Sequence, residues 1–254
     1  MQITDKFGSN KDRVVTGLGL LVGVLIIGFI DSFFLTWLVL GIVYLLAFKE
    51  ANELFGVQST ALFFYAALIW FVALFYPYGD DLFVIAGVIF FSAVAYTQNI
   101  PWKNFLPFLY PTAGMLFFWT LYQEYGMISL LWLIVIVAAT DVGAYYVGKS
   151  IGKTPFCQTS PNKTIEGVVG GVIIATAVSF FIGIKFVDVQ KALIISFLVA
   201  LTSIFGDLFE SYLKRQAGVK DSGTLLPGHG GVLDRIDGYL FGAIVMLVLL
   251  RGLV

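Results

Sequence analysis

The chain has 254 residues, 59% hydrophobic and 17% aromatic, with only 12% charged and a mean hydropathy of +0.93. A water-facing domain carries about 25% charged residues, so an ordinary soluble globule, a disordered chain and a nucleic-acid binder with a basic face are excluded, and an integral membrane protein remains. Fifteen Lys+Arg against sixteen Asp+Glu leave a net charge of −1, while a single cysteine (Cys157) and a single histidine (His229) exclude an internal disulfide, a Cys-based zinc site and a multi-His metal centre.

Apolar stretches between polar breaks predict a bundle of about nine transmembrane helices, over 14–30, 33–48, 60–76, 82–96, 105–121, 127–146, 168–186, 193–213 and 236–250. Several are short for a core about 30 Å thick and need flanking polar residues or a thinned bilayer. The alternating short segments of a β-barrel are absent. The first stretch follows Lys11 and Arg13 like the start of a signal peptide, but its apolar run is long and no small-x-small cleavage site precedes Asp31, so it is expected to be retained.

Nine spans set the basic residues on alternate sides. Twelve of the fifteen fall on one side: Lys6, Lys11, Arg13, Lys49, Lys103, Lys149, Lys153, Lys163, Lys214, Arg215, Lys220 and Arg235. Lys185, Lys191 and Arg251 fall on the other. The positive-inside rule then puts the N-terminus in the cytoplasm and the C-terminus outside.

The two halves differ in kind. Residues 1–126 read as an N-terminal transmembrane part facing lipid or another copy, with Pro101, Pro107 and Pro111, beside Trp102 and Lys103, marking a kinked start to the fifth span. No internal repeat supports an inverted-repeat transporter. Residues 127–254 read as a catalytic transmembrane domain carrying two cytoplasmic loops.

Acids within these later spans are expensive. A carboxylate near the bilayer centre costs at least about 2.5–3.5 kcal/mol, so it must face a polar interior or a cation. Asp207, Glu210, Ser211 and Lys214 share one helical face at i, i+3, i+4 and i+7, and Asp234 and Asp237 share another. Glu210 has a ready salt-bridge partner in Lys214. Asp207, Asp234 and Asp237 have no local partner and are expected to ligate a metal; hard oxygens without His or Cys favour Mg²⁺.

The loop from Lys220 to Gly231 has glycines at 223, 228, 230 and 231, able to adopt positive φ and approach an anion closely, and is bracketed by Lys214, Arg215, Lys220 and Arg235. A second loop, Ser160-Pro161-Asn162-Lys163-Thr164-Ile165-Glu166-Gly167, sets a lysine, hydroxyls and an acid before a helix start, as an anion site or as a cap. Neither is a Walker A loop. Carboxylates, two basic loops and a membrane-surface position suit phosphoryl or nucleotidyl transfer between a soluble nucleotide and a lipid. An ion-coupled transporter would also keep acids in its spans, but Asp188 and Glu124 are isolated on the far side.

The run Ser211-x-Leu213-Lys214-Arg215-x4-Lys220-Asp221-x-Gly223-x2-Leu226-Pro227-x-His229-Gly230-Gly231-Val232-x-Asp234-Arg235-Ile236-Asp237 resembles the signature of the phosphatidate cytidylyltransferases (CDP-diacylglycerol synthases). Asp141-Val142-Gly143-Ala144-Tyr145 and the Ser160–Gly167 run resemble that family too, although Ile165 stands where the family often has Trp. The resemblance implies the reaction of CTP with phosphatidate to give CDP-diacylglycerol and pyrophosphate. It also implies Mg²⁺ with a possible second cation, a multi-span enzyme in the cell inner (plasma) membrane with its active site facing the cytoplasm, and a homodimer. It implies roles as well: Asp207, Asp221, Asp234 and Asp237 for metal; Lys214, Arg215, Lys220 and Arg235 for triphosphate or lipid phosphate; and Ser160, Lys163, Thr164 and Glu166 for nucleotide. Asp141 would orient a lysine or a second cation, and Ser211, His229, Gly230 and Gly231 would line the substrate site. A CTP-dependent polyprenol kinase of related fold is the alternative within this chemistry.

Overall fold

The computed structural model describes residues 3–57 and 59–253, with side chains from Val14 onward; the basic side chains of Lys6, Lys11 and Arg13 lie outside the described residues. The fold is all-helical, and no strand occurs among the described residues. In chain order the helices are α1 (Ile3–Ile30), α2 (Phe33–Leu54), α3 (Thr60–Ala73), α4 (Asp81–Thr97), α5 (Ala113–Ile151), α6 (Ile165–Gly183), α7 (Val189–Gln216) and α8 (Leu233–Leu253). Among the described residues five segments are long and apolar enough to cross a membrane: α2, α5 with its lead-in, α6, α7 and α8. At 1.5 Å per residue, α3 measures about 21 Å, short of a hydrocarbon core.

Two of the expected stretches, 105–121 and 127–146, fall in α5, which is broken at Gly126 (φ 73°, ψ −174°). The Ser129 hydroxyl donates to the carbonyl of Leu121, eight residues back, at 3.0 Å. A straight helix would separate those residues by about 12 Å, so the chain bends back on itself there. Glycine has no Cβ to oppose that positive φ. The expected fifth stretch also begins late. Trp102–Phe105 and Phe108–Thr112 form short irregular turns, and Tyr110 is extended (φ −145°, ψ 112°) because the ring of Pro111 disfavours a helical conformation in the residue before it.

The core centres on α5, where Trp119, Trp132, Leu116, Leu121, Leu133 and Ile136 are fully buried. The Trp119 indole N–H donates to the carbonyl of Ala73 at 2.9 Å and that of Trp132 to the Ser196 hydroxyl at 3.1 Å, so neither ring buries an unsatisfied donor. Without a hydrophobic drive between helices in lipid, close backbone approach must supply the packing. Gly143 and Gly148 on α5 meet Gly171 and Gly167 on α6, where an added Cβ would stand 3.0 Å from the opposing Cα.

The acids that end α5 and α7 and begin α8 therefore gather at one end of the bundle. The other end is tied by Arg251, which pairs with Asp80 at 2.5 Å and with Glu124. Along α8, Arg251 lies about 26 Å from Asp234. Asp80, Glu124 and Arg251 share an end.

Candidate functional site

Asp234 is the best-satisfied acid of the signature. Its Oδ1 accepts from Lys214 Nζ at 2.6 Å; its Oδ2 accepts from the amides of Gly231 (2.7 Å) and Ser222 (2.9 Å) and lies 3.0 Å from the Ser222 hydroxyl. A Cβ at Gly230 (φ 82°) would stand 2.6 Å from that Oδ2. Asp234 thus shapes the loop around itself, with both oxygens engaged by the protein. Lys214 also pairs with Glu210, 2.6 Å from Oε2, as expected from their i, i+4 spacing.

Asp237, one turn further along α8, stands differently. Its Oδ1 accepts the amide of Gly238 at 2.8 Å, and among the described residues no cation pairs with it. It is close enough to Asp207 and Asp141 to feel their charge. Asp207 pairs with Lys163 and accepts from Ser211 at 3.3 Å; Asp141 is within charge range of Asp207, Lys163 and Arg235. The structure thus brings together Asp141, Lys163, Asp207, Ser211, Arg235 and Asp237. Tyr110 lies within charge range of Asp207, Glu210, Asp234 and Asp237, and its buried hydroxyl has no hydrogen-bond partner among the described residues.

A cavity of about 600 Å³ opens beside this cluster, lined by Lys220, Asp221, His229, Gly230 and Arg235 among others. The Leu226 amide donates to Gly230 O and the His229 amide to Leu226 O, both at 2.9 Å, closing the loop tip, with Gly228 at φ 74°. His229 packs towards α1, where a Cβ on Gly17 would lie 3.7 Å from the imidazole.

The remaining candidates have other partners. Thr164 caps α6, accepting the Gly167 amide at 3.2 Å. Glu166 accepts from the Thr154 hydroxyl at 2.8 Å and from the Lys153 amide at 3.1 Å, and the backbone of Ser160 accepts from Lys163, so this stretch stitches the α5–α6 loop together. Arg215 is exposed and reaches Val219 O at 3.5 Å, beside its own helix end.

One residue escaped the sequence reading. Glu50, near the end of α2, is 7% exposed and accepts from the amides of Val232 (2.9 Å) and Leu233 (2.8 Å) and from the Ser222 hydroxyl (2.9 Å). Little in the sequence signals it, because Lys49 beside it and Glu53 three residues on make it read as one charge of an ordinary helix end.

Magnesium suits this donor set. It binds through one or two carboxylates and takes its other positions from water and substrate phosphates. Among the described residues no three His, Cys, Asp or Glu side chains stand in a ready cage. The acids without a saturating set of protein donors, Asp237 above all, and the orphaned Tyr110 hydroxyl offer the oxygens such an ion and its ligands would use.

Residues 11–253 match the model of the cytidylyltransferase family. A phosphatidate cytidylyltransferase of Helicobacter pylori strain J99 is 44% identical over 243 residues, 94% of this chain and 91% of the relative. One from H. pylori strain 26695 is 43% identical over the same shares, and one from Thermotoga maritima is 35% identical over 67% of this chain and 68% of its own. The chain belongs to the cytidylyltransferase family.

Proposed function

From that membership we propose that the protein transfers the cytidylyl group of CTP to phosphatidate, forming CDP-diacylglycerol and pyrophosphate. The observation that carries the reading is the gathering of Asp141, Asp207 and Asp237 with Lys163 and Arg235 beside the loop cavity, in a chain similar along nearly its whole length to phosphatidate cytidylyltransferases.

The nucleophile is a phosphate oxygen of the lipid, already ionised at neutral pH, so no strong general base is required. Its bond to the α-phosphorus of CTP forms as the bond from that phosphorus to the α–β bridging oxygen breaks, and pyrophosphate leaves with the electron pair. Positioning and charge neutralisation then carry the rate. Lys220 and Arg235 on the cavity wall hold the triphosphate; Lys163, oriented by Asp207, faces the acids; and the Tyr110 hydroxyl donates to an oxygen at the same place. Asp237, with one of its neighbours Asp207 or Asp141, would hold Mg²⁺ and leave its other positions to water and substrate phosphate, and a second cation would draw on the remaining acid. When bound, such an ion neutralises charge gathering on the phosphate oxygens.

The same reading folds α5 in two at Gly126, so that eight helices make nine crossings, and puts the N-terminus and the signature loop on the cytoplasmic side of the cell's inner membrane. The exposed apolar faces of α1 and α4 suit lipid or a second copy in a homodimer. The test is transfer from labelled CTP by purified protein with Mg²⁺ and phosphatidate. Label at the α-phosphate enters lipid if the reading holds; entry of γ-label, or of neither, overturns it.

A further inference from the structure

The glycines of the signature loop look built to wrap a substrate phosphate. The anion that two of them, Gly223 and Gly231, wrap is Glu50. A Cβ at Gly223 would stand 2.5 Å from Glu50 Oε1, and one at Gly231 would collide with Oε2 and with the Ser222 hydroxyl. The amides of Val232 and Leu233, at the start of α8, point at the same carboxylate, where the helix dipole favours negative charge. The bond crosses 182 residues of sequence, from the hydrophobic N-terminal half to the signature.

We propose that Glu50 is a positioning residue: a built-in anion that holds the signature loop in its working shape and keeps substrate phosphate off the α8 N-terminus, leaving it to Lys220 and Arg235. Ser222 transmits the effect, because its hydroxyl lies between Glu50 Oε2 and Asp234 Oδ2. Glu50 itself lies behind the loop and touches no reacting atom.

The experiment uses the full chain in detergent or nanodiscs, with Glu50→Gln and Glu50→Ala. Charge-assisted bonds are about twice as strong as neutral ones, so both variants should raise KM for CTP roughly tenfold, with a smaller fall in kcat. Formate should restore Glu50→Ala in part, while chloride at equal ionic strength should not. Trypsin should cut at Lys220 faster in both variants than in wild type. An unchanged KM with unchanged Lys220 cleavage overturns the proposal, as does a loss confined to kcat that formate leaves untouched. Should both variants fail to fold, Ser222→Ala carries the test in the same two readouts, with a smaller KM rise expected and no change in either overturning it. The KM readout rests on the proposed reaction and the trypsin readout does not. An inactive wild type therefore counts against the reaction, and unaltered cleavage counts against Glu50.

Discussion

Lys214 joins Asp234 across two helices, its Nζ 2.6 Å from Oδ1, and so ties the end of α7 to the start of α8. The same nitrogen neutralises Glu210, whose side chain is 1% exposed. Two buried acids depend on one cation. Lys214→Met leaves Glu210 without its cation and Asp234 with neutral donors only, and breaking a buried pair in this way costs about 3–5 kcal/mol. The expected outcome is a lower unfolding midpoint in detergent, with activity lost alongside it. A midpoint equal to wild type would show that the pairs do not hold the helices.

Asp234 and Asp237 should separate cleanly when each is changed to Asn. Asp234→Asn puts an amide N–H₂ among donors and loses Lys214, and should cost about 2–4 kcal/mol of stability. Asp237→Asn removes a negative charge from beside Asp207 and Asp141, so its midpoint should hold or rise while turnover falls about 100-fold or more. Melting curves and initial rates on the same preparations decide. Near-normal CDP-diacylglycerol formation by Asp237→Asn would refute its role.

Tyr110→Phe removes a buried hydroxyl that has no partner among the described residues. A buried orphan costs about 1–3 kcal/mol, so the variant should be at least as stable as wild type. If the hydroxyl donates to substrate, kcat/KM should fall by about tenfold. A drop in stability would mean that the hydroxyl has a structural partner.

Gly206 on α7 lies against the backbone of Asp237, where an added Cβ would stand 2.5 Å from its carbonyl oxygen. Gly206→Ala should push α8 away at the acid cluster, at a cost of about 1–3 kcal/mol, and lower kcat more than KM. Gly23→Ala on α1, with nothing within 4 Å, is the matched control and should leave both unchanged.

The apolar runs and the charged faces of the last two helices were legible because spacing along one helix fixes which side chains align. Glu210 with Lys214 is such a case. Partners far apart in sequence were not. Nothing local tells Asp234, saturated by Lys214, Ser222 and Gly231, from Asp237, which lacks a protein cation. The break between the apolar stretches 105–121 and 127–146 was legible too, and Gly126, where the chain bends back, falls inside it. The loop glycines were read as seats for a substrate anion, and two of them, Gly223 and Gly231, close on a carboxylate of the chain itself. That the anion is Glu50 depends on tertiary contact, and no composition argument reaches it.

The ties on Arg251 have a mechanical corollary. With Asp80 and Glu124 gripping one extremity of α8 and Lys214 the other, that rod is held like an axle in two bearings, and turning or sliding it as a unit would require ion pairs at both extremities to break.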